Sequence, residues 1–171
     1  MFSSSHFGSV NIDGMNFNNA TISTGLSLMK FQGIKTLSMN DLSLENVNLE
    51  SIDNYWIQIS GSQTALSINK INATKIALYD SPAFAMNNQF SSISMSELYF
   101  DNVTVASDNS IIQFSYLSAL DMNNVTFSNI VSQSTESSNN YMIRIVQTGK
   151  SLNSKKITKK IFNYFIISSL S

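Results

Sequence analysis

The sequence predicts an all-β solenoid in which a single chain winds through five to six coils of about 27 residues each. Three observations predict it. Five segments align at nearly constant spacing, each segment carries the same alternation of apolar and polar side chains, and the alignment places like residues in columns.

The segments begin at Val10, Leu37, Leu66, Ile93 and Leu120, separated by 27, 29, 27 and 27 residues. If the first residue of each segment is position 0, apolar side chains fall at positions 0, 2, 5, 7, 10 and, except at Ser132, 12. This is the unit h-x-h-x-x written three times. The period of two inside each h-x-h turns both apolar side chains to one side of a short strand, and the two extra residues turn the chain before the next strand. A helix would need spacings of three and four. Between segments lies one more alternating stretch, at Tyr55–Ile59, Ala83–Met86, Ile111–Phe114 and Tyr141–Ile145. There the alternation predicts Tyr55, Ile57 and Ile59 inward and Trp56 outward.

A single circuit of short strands cannot bury its own apolar face, so the circuits must stack, pairing backbone groups at about 4.8 Å per coil. Stacking predicts columns, and the columns are present. Position 0 reads Val10, Leu37, Leu66, Ile93, Leu120; position 2 reads Ile12, Met39, Ile68, Met95, Met122. Position 5 reads Met15, Leu42, Ile71, Leu98, Val125, and position 7 reads Phe17, Leu44, Ala73, Phe100, Phe127. These columns are the predicted core, in which the methionines fill gaps beside branched and aromatic neighbours.

The turns carry their own columns, Asp13, Asn40, Asn69, Ser96, Asn123 at position 3 and Asn19, Asn46, Lys75, Asn102, Asn129 at position 9. Asparagine tolerates left-handed backbone, and its amide can bond the equivalent amide one coil away, giving an asparagine ladder. Lys75 interrupts the second ladder, and its amine is expected to point outward with the turn altered locally.

Composition limits what such a rod can do. Ser (31) and Asn (21) supply 52 of 171 residues, while only 12% are charged and the net charge is −1. The basic footprint of a nucleic-acid binder is missing. No apolar run approaches the ~20 residues that span a bilayer. With no cysteine and a single histidine, His6, the chain implies neither a disulfide framework nor a metal or cofactor. Charge is uneven, however: residues 1–149 hold 5 basic and 11 acidic side chains, and residues 150–171 hold 5 basic and no acidic ones. The boundary is therefore drawn there, with the solenoid over 1–149 and a basic, apolar tail over 150–171. In the tail Ser154 and Lys159 occupy the inward positions 2 and 7, so the solenoid is expected to end. From Lys155, the stripe Ile157, Ile161, Phe165 suggests a helix. A cap laid across the last coil is the first reading of it, ahead of an incidental tail and of contact with an anionic membrane surface.

The motif h-x-h-x-N-h-x-F-x-N-h, clearest in Leu120 to Ile130 and Ile93 to Val103, resembles that of right-handed parallel β-helices of the pectin-lyase-like class, including short-repeat surface proteins. The resemblance covers residues of about 8 to 148 and implies a single-stranded right-handed β-helix with an extracellular or cell-surface location. Enzymes of that class are polysaccharide lyases or glycoside hydrolases. Their hydrolase motifs are missing here: no Asp-Asp occurs, His6 is the sole histidine, and Arg144-Ile145 is followed by Val146. Arg144, the sole arginine, aligns with Gln113, Ala85 and Gln58, without an acidic partner. Glu45 and Asp101 share position 8 but are separated by Thr74, two coils or about 9.6 Å by rung spacing. They read as a solvated face.

The expectation is thus a non-catalytic structural or adhesive surface module, with lyase or hydrolase as the alternative. Its partners would be carbohydrate or other surface proteins. Trp56 and Tyr99 are the candidate carbohydrate contacts, as outward aromatics among Ser, Thr and Asn. Four Asn-x-Thr sequons occur, at Asn19, Asn72, Asn102 and Asn124. Asn19 and Asn102 fall in the ladder, where an inward amide would be out of reach, leaving Asn72 and Asn124 as the glycosylation candidates. Because the first coil begins almost at Met1 without a leader or a cap, the chain is expected to be a piece of a longer exported protein.

Overall fold

The computed structural model describes residues 2–5, 8–23, 27–50, 55–60, 64–79, 82–106, 110–133 and 141–159. Among the described residues the structure is strand and turn, with no helix. The strands are β1 Phe2–Ser5, β2 Ser9–Asp13, β3 Asn16–Ile22, β4 Ser27–Gln32, β5 Thr36–Leu49, β6 Tyr55–Ser60, β7 Thr64–Leu78, β8 Phe84–Val105, β9 Ser110–Ser132 and β10 Tyr141–Lys159. Every pairing between them is parallel.

The register is the predicted one. Val10 pairs with Leu37, Leu37 with Leu66, Leu66 with Ile93, and Ile93 with Leu120. Those steps make a β-solenoid of about four turns rather than five to six coils. Beyond Leu120 the backbone makes one further, less regular step. β10 pairs with β9 from Tyr141 to Lys159, Leu152 opposite Leu120, with register shifts after Thr148, Ser154 and Lys156. Strand pairing therefore crosses the boundary drawn at residue 150, and residues 155–159 are strand where a helical stripe was expected. Residues 160–171 of that proposed tail lie outside the described residues.

The corners follow from backbone geometry. Position 9 is left-handed in all five repeats, at Asn19, Asn46, Lys75, Asn102 and Asn129, with φ between 50° and 57°. Position 4 is left-handed as well, at Gly14, Asp41, Lys70, Glu97 and Asn124. The turn thus falls on the second of each pair of extra residues. Lys75 corrects one expectation: its amine is exposed, as predicted, but its φ of 55° matches its neighbours and the turn is unaltered. Lysine and glutamate have no intrinsic preference for this region. They hold it because strands on both sides of the corner are paired to the coils above and below.

Position 3, just before each first corner, carries the amide ladder. Asn40 Nδ2 donates to Asp13 Oδ1 at 2.8 Å, Asn69 Nδ2 to Asn40 Oδ1 at 2.8 Å, and Ser96 Oγ to Asn69 Oδ1 at 2.7 Å. At position 9, among the described residues, the first rung has this form, Asn46 Nδ2 donating to Asn19 Oδ1 at 2.6 Å.

The core is the set of columns read from the sequence. From Leu37 to Phe127 every residue at positions 0, 2, 5 and 7 is buried, while in the first repeat Val10, Met15 and Phe17 are half-buried. Phe100 and Phe127 stack at 5.2 Å, and Phe84 meets Phe100 edge-on at 6.0 Å. One residue reverses the prediction. Trp56 is not outward but 1% exposed, its ring 4.7 Å from that of Phe84, and Tyr55 is only half-buried. The amides of Trp56 and Ile57 both donate to the Ala83 carbonyl, at 2.9 and 3.0 Å, so two consecutive residues face one partner. At such a bulge the period of two fails. The same consecutive burial recurs at Ala83-Phe84, Ile111-Ile112 and Met142-Ile143, which makes it a corner of the solenoid rather than a local accident.

Candidate functional site

The outer side of the strand between the two left-handed corners presents positions 6 and 8. Buried Leu98 and Phe100 anchor this strand in the fourth repeat, and the alternation puts Tyr99 outside, 41% exposed. Asn72 and Thr126 are its rung neighbours. Asp101, with Thr74 and Ser128 on its own rungs, lies beside it two residues along the strand. Of the two aromatic contacts expected from sequence, Tyr99 therefore stands in the open and Trp56 is core. Tyr79, 42% exposed at position 13, is a further outward aromatic. Tyr79 lies just past the last apolar position of the repeat, and the buried Leu78 before it is the sequence signal for its outward placement.

Charges around this strand are arranged by column. At position 4, Lys70 Nζ lies 2.9 Å from Asp41 Oδ1. At positions 8 and 9, Lys75 Nζ lies 3.0 Å from Glu45 Oε1. The hydrogen bond and charge of Asp41, and more weakly the charges of Glu97 and Asp13, hold the Lys70 ammonium above the usual lysine range. Asp101 Oδ1 accepts from Asn129 Nδ2 at 2.8 Å. Glu45 and Asp101 are kept apart by Thr74 in the register, as the sequence indicated. Arg144 sits in the rung series Lys30, Gln58, Ala85, Gln113, so no acid shares its column. Among the described residues no group of three His, Asp or Glu side chains is placed to hold a metal ion.

The four sequon asparagines are all on the surface. Asn19 and Asn102 are exposed at left-handed corners, so the expectation that the ladder would turn their amides inward is wrong. Asn124 is exposed at the other corner, and Asn72 is exposed on the rung next to Tyr99. That adjacency sets two expected uses of the face against each other: a glycan on Asn72 would cover the tyrosine ring.

On the neighbouring strand face a groove of about 460 Å³ runs across four coils between positions −1 and 1. Asn11, Thr36, Ser38, Ser67 and Ser94 line it, together with backbone of the strands between, and no charged residue does. Comparison with models of known families, with curated proteins and with solved structures finds no match to this chain.

Proposed function

We propose that the chain is a non-catalytic structural or adhesive surface module, with weak carbohydrate contact on the strand face that carries Tyr99. The observation supporting this reading is the division of labour between the two sides of the strands. From Leu37 to Phe127 the inward positions 0, 2, 5 and 7 are apolar and buried, whereas the outward positions 6 and 8 present mostly hydroxyls and amides, with Tyr99 as the one aromatic at those two positions among the described repeats. An exposed tyrosine offers a sugar ring an apolar face, and flanking amides and hydroxyls can bond its hydroxyls. Among the described residues the two acids of position 8 are already engaged: Glu45 is held by Lys75, and Asp101 accepts an amide. The cell-surface setting rests on the resemblance to β-helix surface proteins alone.

A screen of neutral and aminated oligosaccharides for binding, with polygalacturonate and alginate assayed for cleavage with and without calcium, tests the reading. Binding without release of unsaturated or reducing ends, lost in Tyr99→Ala, is the expected result. Turnover abolished by Arg144→Ala or Asp101→Ala would replace it with a lyase or hydrolase.

A further inference from the structure

The lysines of this face are distributed unevenly over its acids. Lys70 bonds Asp41 and Lys75 bonds Glu45, both acids lying in the second repeat. The fourth repeat has acids at the same two positions, Glu97 and Asp101. Among the described residues no cationic side chain lies within ion-pair distance of either; Asp101 has only the neutral amide of Asn129. Lys70, one rung from Glu97, senses its charge but keeps its ammonium on Asp41. Tyr99 lies between the two carboxylates on the same strand, with Glu97 exposed and Asp101 half-buried. Each is two residues from Tyr99, roughly 7 Å along the chain.

An accessible aromatic ring between two carboxylates with which no described lysine or arginine forms an ion pair is suited to a positively charged group. The ring's quadrupole and the carboxylates attract it together. We propose that Tyr99, with Glu97 and Asp101 on either side, is a binding site for an aminated glycan, the sugar ring lying on the tyrosine and its ammonium against a carboxylate. The inference rests on the carbohydrate reading above and names the sugar class. Asn72, Thr74, Thr126 and Ser128, the neutral neighbours on adjoining rungs, favour a polyhydroxyl ring over a basic peptide.

The test compares glucosamine tetramer with its fully N-acetylated counterpart, which has the same backbone and no charge. Both are titrated into the full chain at a pH where amines are protonated and carboxylates ionised, with the tyrosine ring resonances as readout. The aminated tetramer should bind about tenfold tighter, and added salt should reduce that advantage. Glu97→Gln and Asp101→Asn should each reduce the preference for the aminated over the acetylated form by about two- to fivefold. Tyr99→Ala should lose both. Equal affinity for the two tetramers at Tyr99 would overturn the amine preference while the carbohydrate reading stood; failure of both to bind would remove the two readings together. A lysine tetrapeptide binding as tightly as the aminated tetramer would overturn the assignment to a glycan. Unchanged melting temperatures in the two charge variants keep a folding defect from imitating the result.

Discussion

Asn69 both donates to Asn40 and accepts from Ser96, so it is the one described ladder residue bonded on both sides by amide or hydroxyl. The ladder has a direction: each donor reaches back one coil, and the series ends on Asp13, a carboxylate that only accepts. Asn69→Ala would leave partners unmade on two coils, and a half-buried site should lose about 1–3 kcal/mol in urea denaturation. Trp56 presents the opposite case, a buried Nε1 with no hydrogen-bond partner among the described residues. Trp56→Phe removes that donor and keeps most of the ring, so its loss should fall well below the 3–5 kcal/mol typical of Trp→Ala in a core. As the only tryptophan, Trp56 also reports its own placement. Its emission should be blue-shifted and resistant to acrylamide, and a red, readily quenched emission would return it to the surface. Lys70 gives the pH prediction. Its folded value is raised by Asp41, so the stability it adds is complete below the ordinary lysine range and is lost as pH rises through the raised value. Both groups are exposed, so the loss should be small, and Lys70→Gln should abolish it.

The strands and corners show which parts of the structure the sequence could disclose. Columns were legible because burial acts on every coil in the same way: Leu37, Leu66, Ile93 and Leu120 are interchangeable solutions to one environment. Corners were legible only where the residue type advertises them. Asn19, Asn46, Asn102 and Asn129 did so; Lys70 and Lys75 adopt the same left-handed backbone against their own preference, and nothing local announces it. Trp56 was misplaced because alternation describes a straight strand, and two amides sharing the Ala83 carbonyl end that description. Tyr99 was placed correctly as outward because the stretch between the corners at Glu97 and Asn102 is short and Tyr99 is pinned there by buried Leu98 and Phe100. The flanking role of Glu97 was hidden, since it is one of the two extra residues that turn the chain, and such a position drew no attention to the ring beside it. The corner cost is testable. A non-glycine residue in this region costs about 1–2 kcal/mol, less for asparagine. The exposed Lys75–Glu45 pair returns less than about 1 kcal/mol. Lys75→Asn should therefore raise the melting temperature, whereas the same change at a corner already held by asparagine has no analogue to gain from.

In the whole molecule each coil touches only the coils above and below it, so stability is close to a sum of coil terms and interfaces between neighbours. A lesion should then matter according to where it falls along the rod. Leu98 is 1% exposed, paired by register to Ile71 on one side and Val125 on the other. Leu98→Asp would place a carboxylate there without a partner, and burying such a charge costs more than a domain of this size has to spare. The expected outcome is loss of the β-type circular dichroism and of a measurable melting transition. Phe17 is also inward, at position 7 of the first repeat, but is half-buried, and among the described strands β3 pairs with β5 alone. Phe17→Asp can keep its carboxylate near water, so it should release the first repeat locally while later coils hold. Amide hydrogen exchange separates the two results: protection lost throughout for Leu98→Asp, and lost only before Thr36 for Phe17→Asp. If both variants lost protection everywhere, the coils would be folding as one indivisible unit and the nearest-neighbour description of this solenoid would fail.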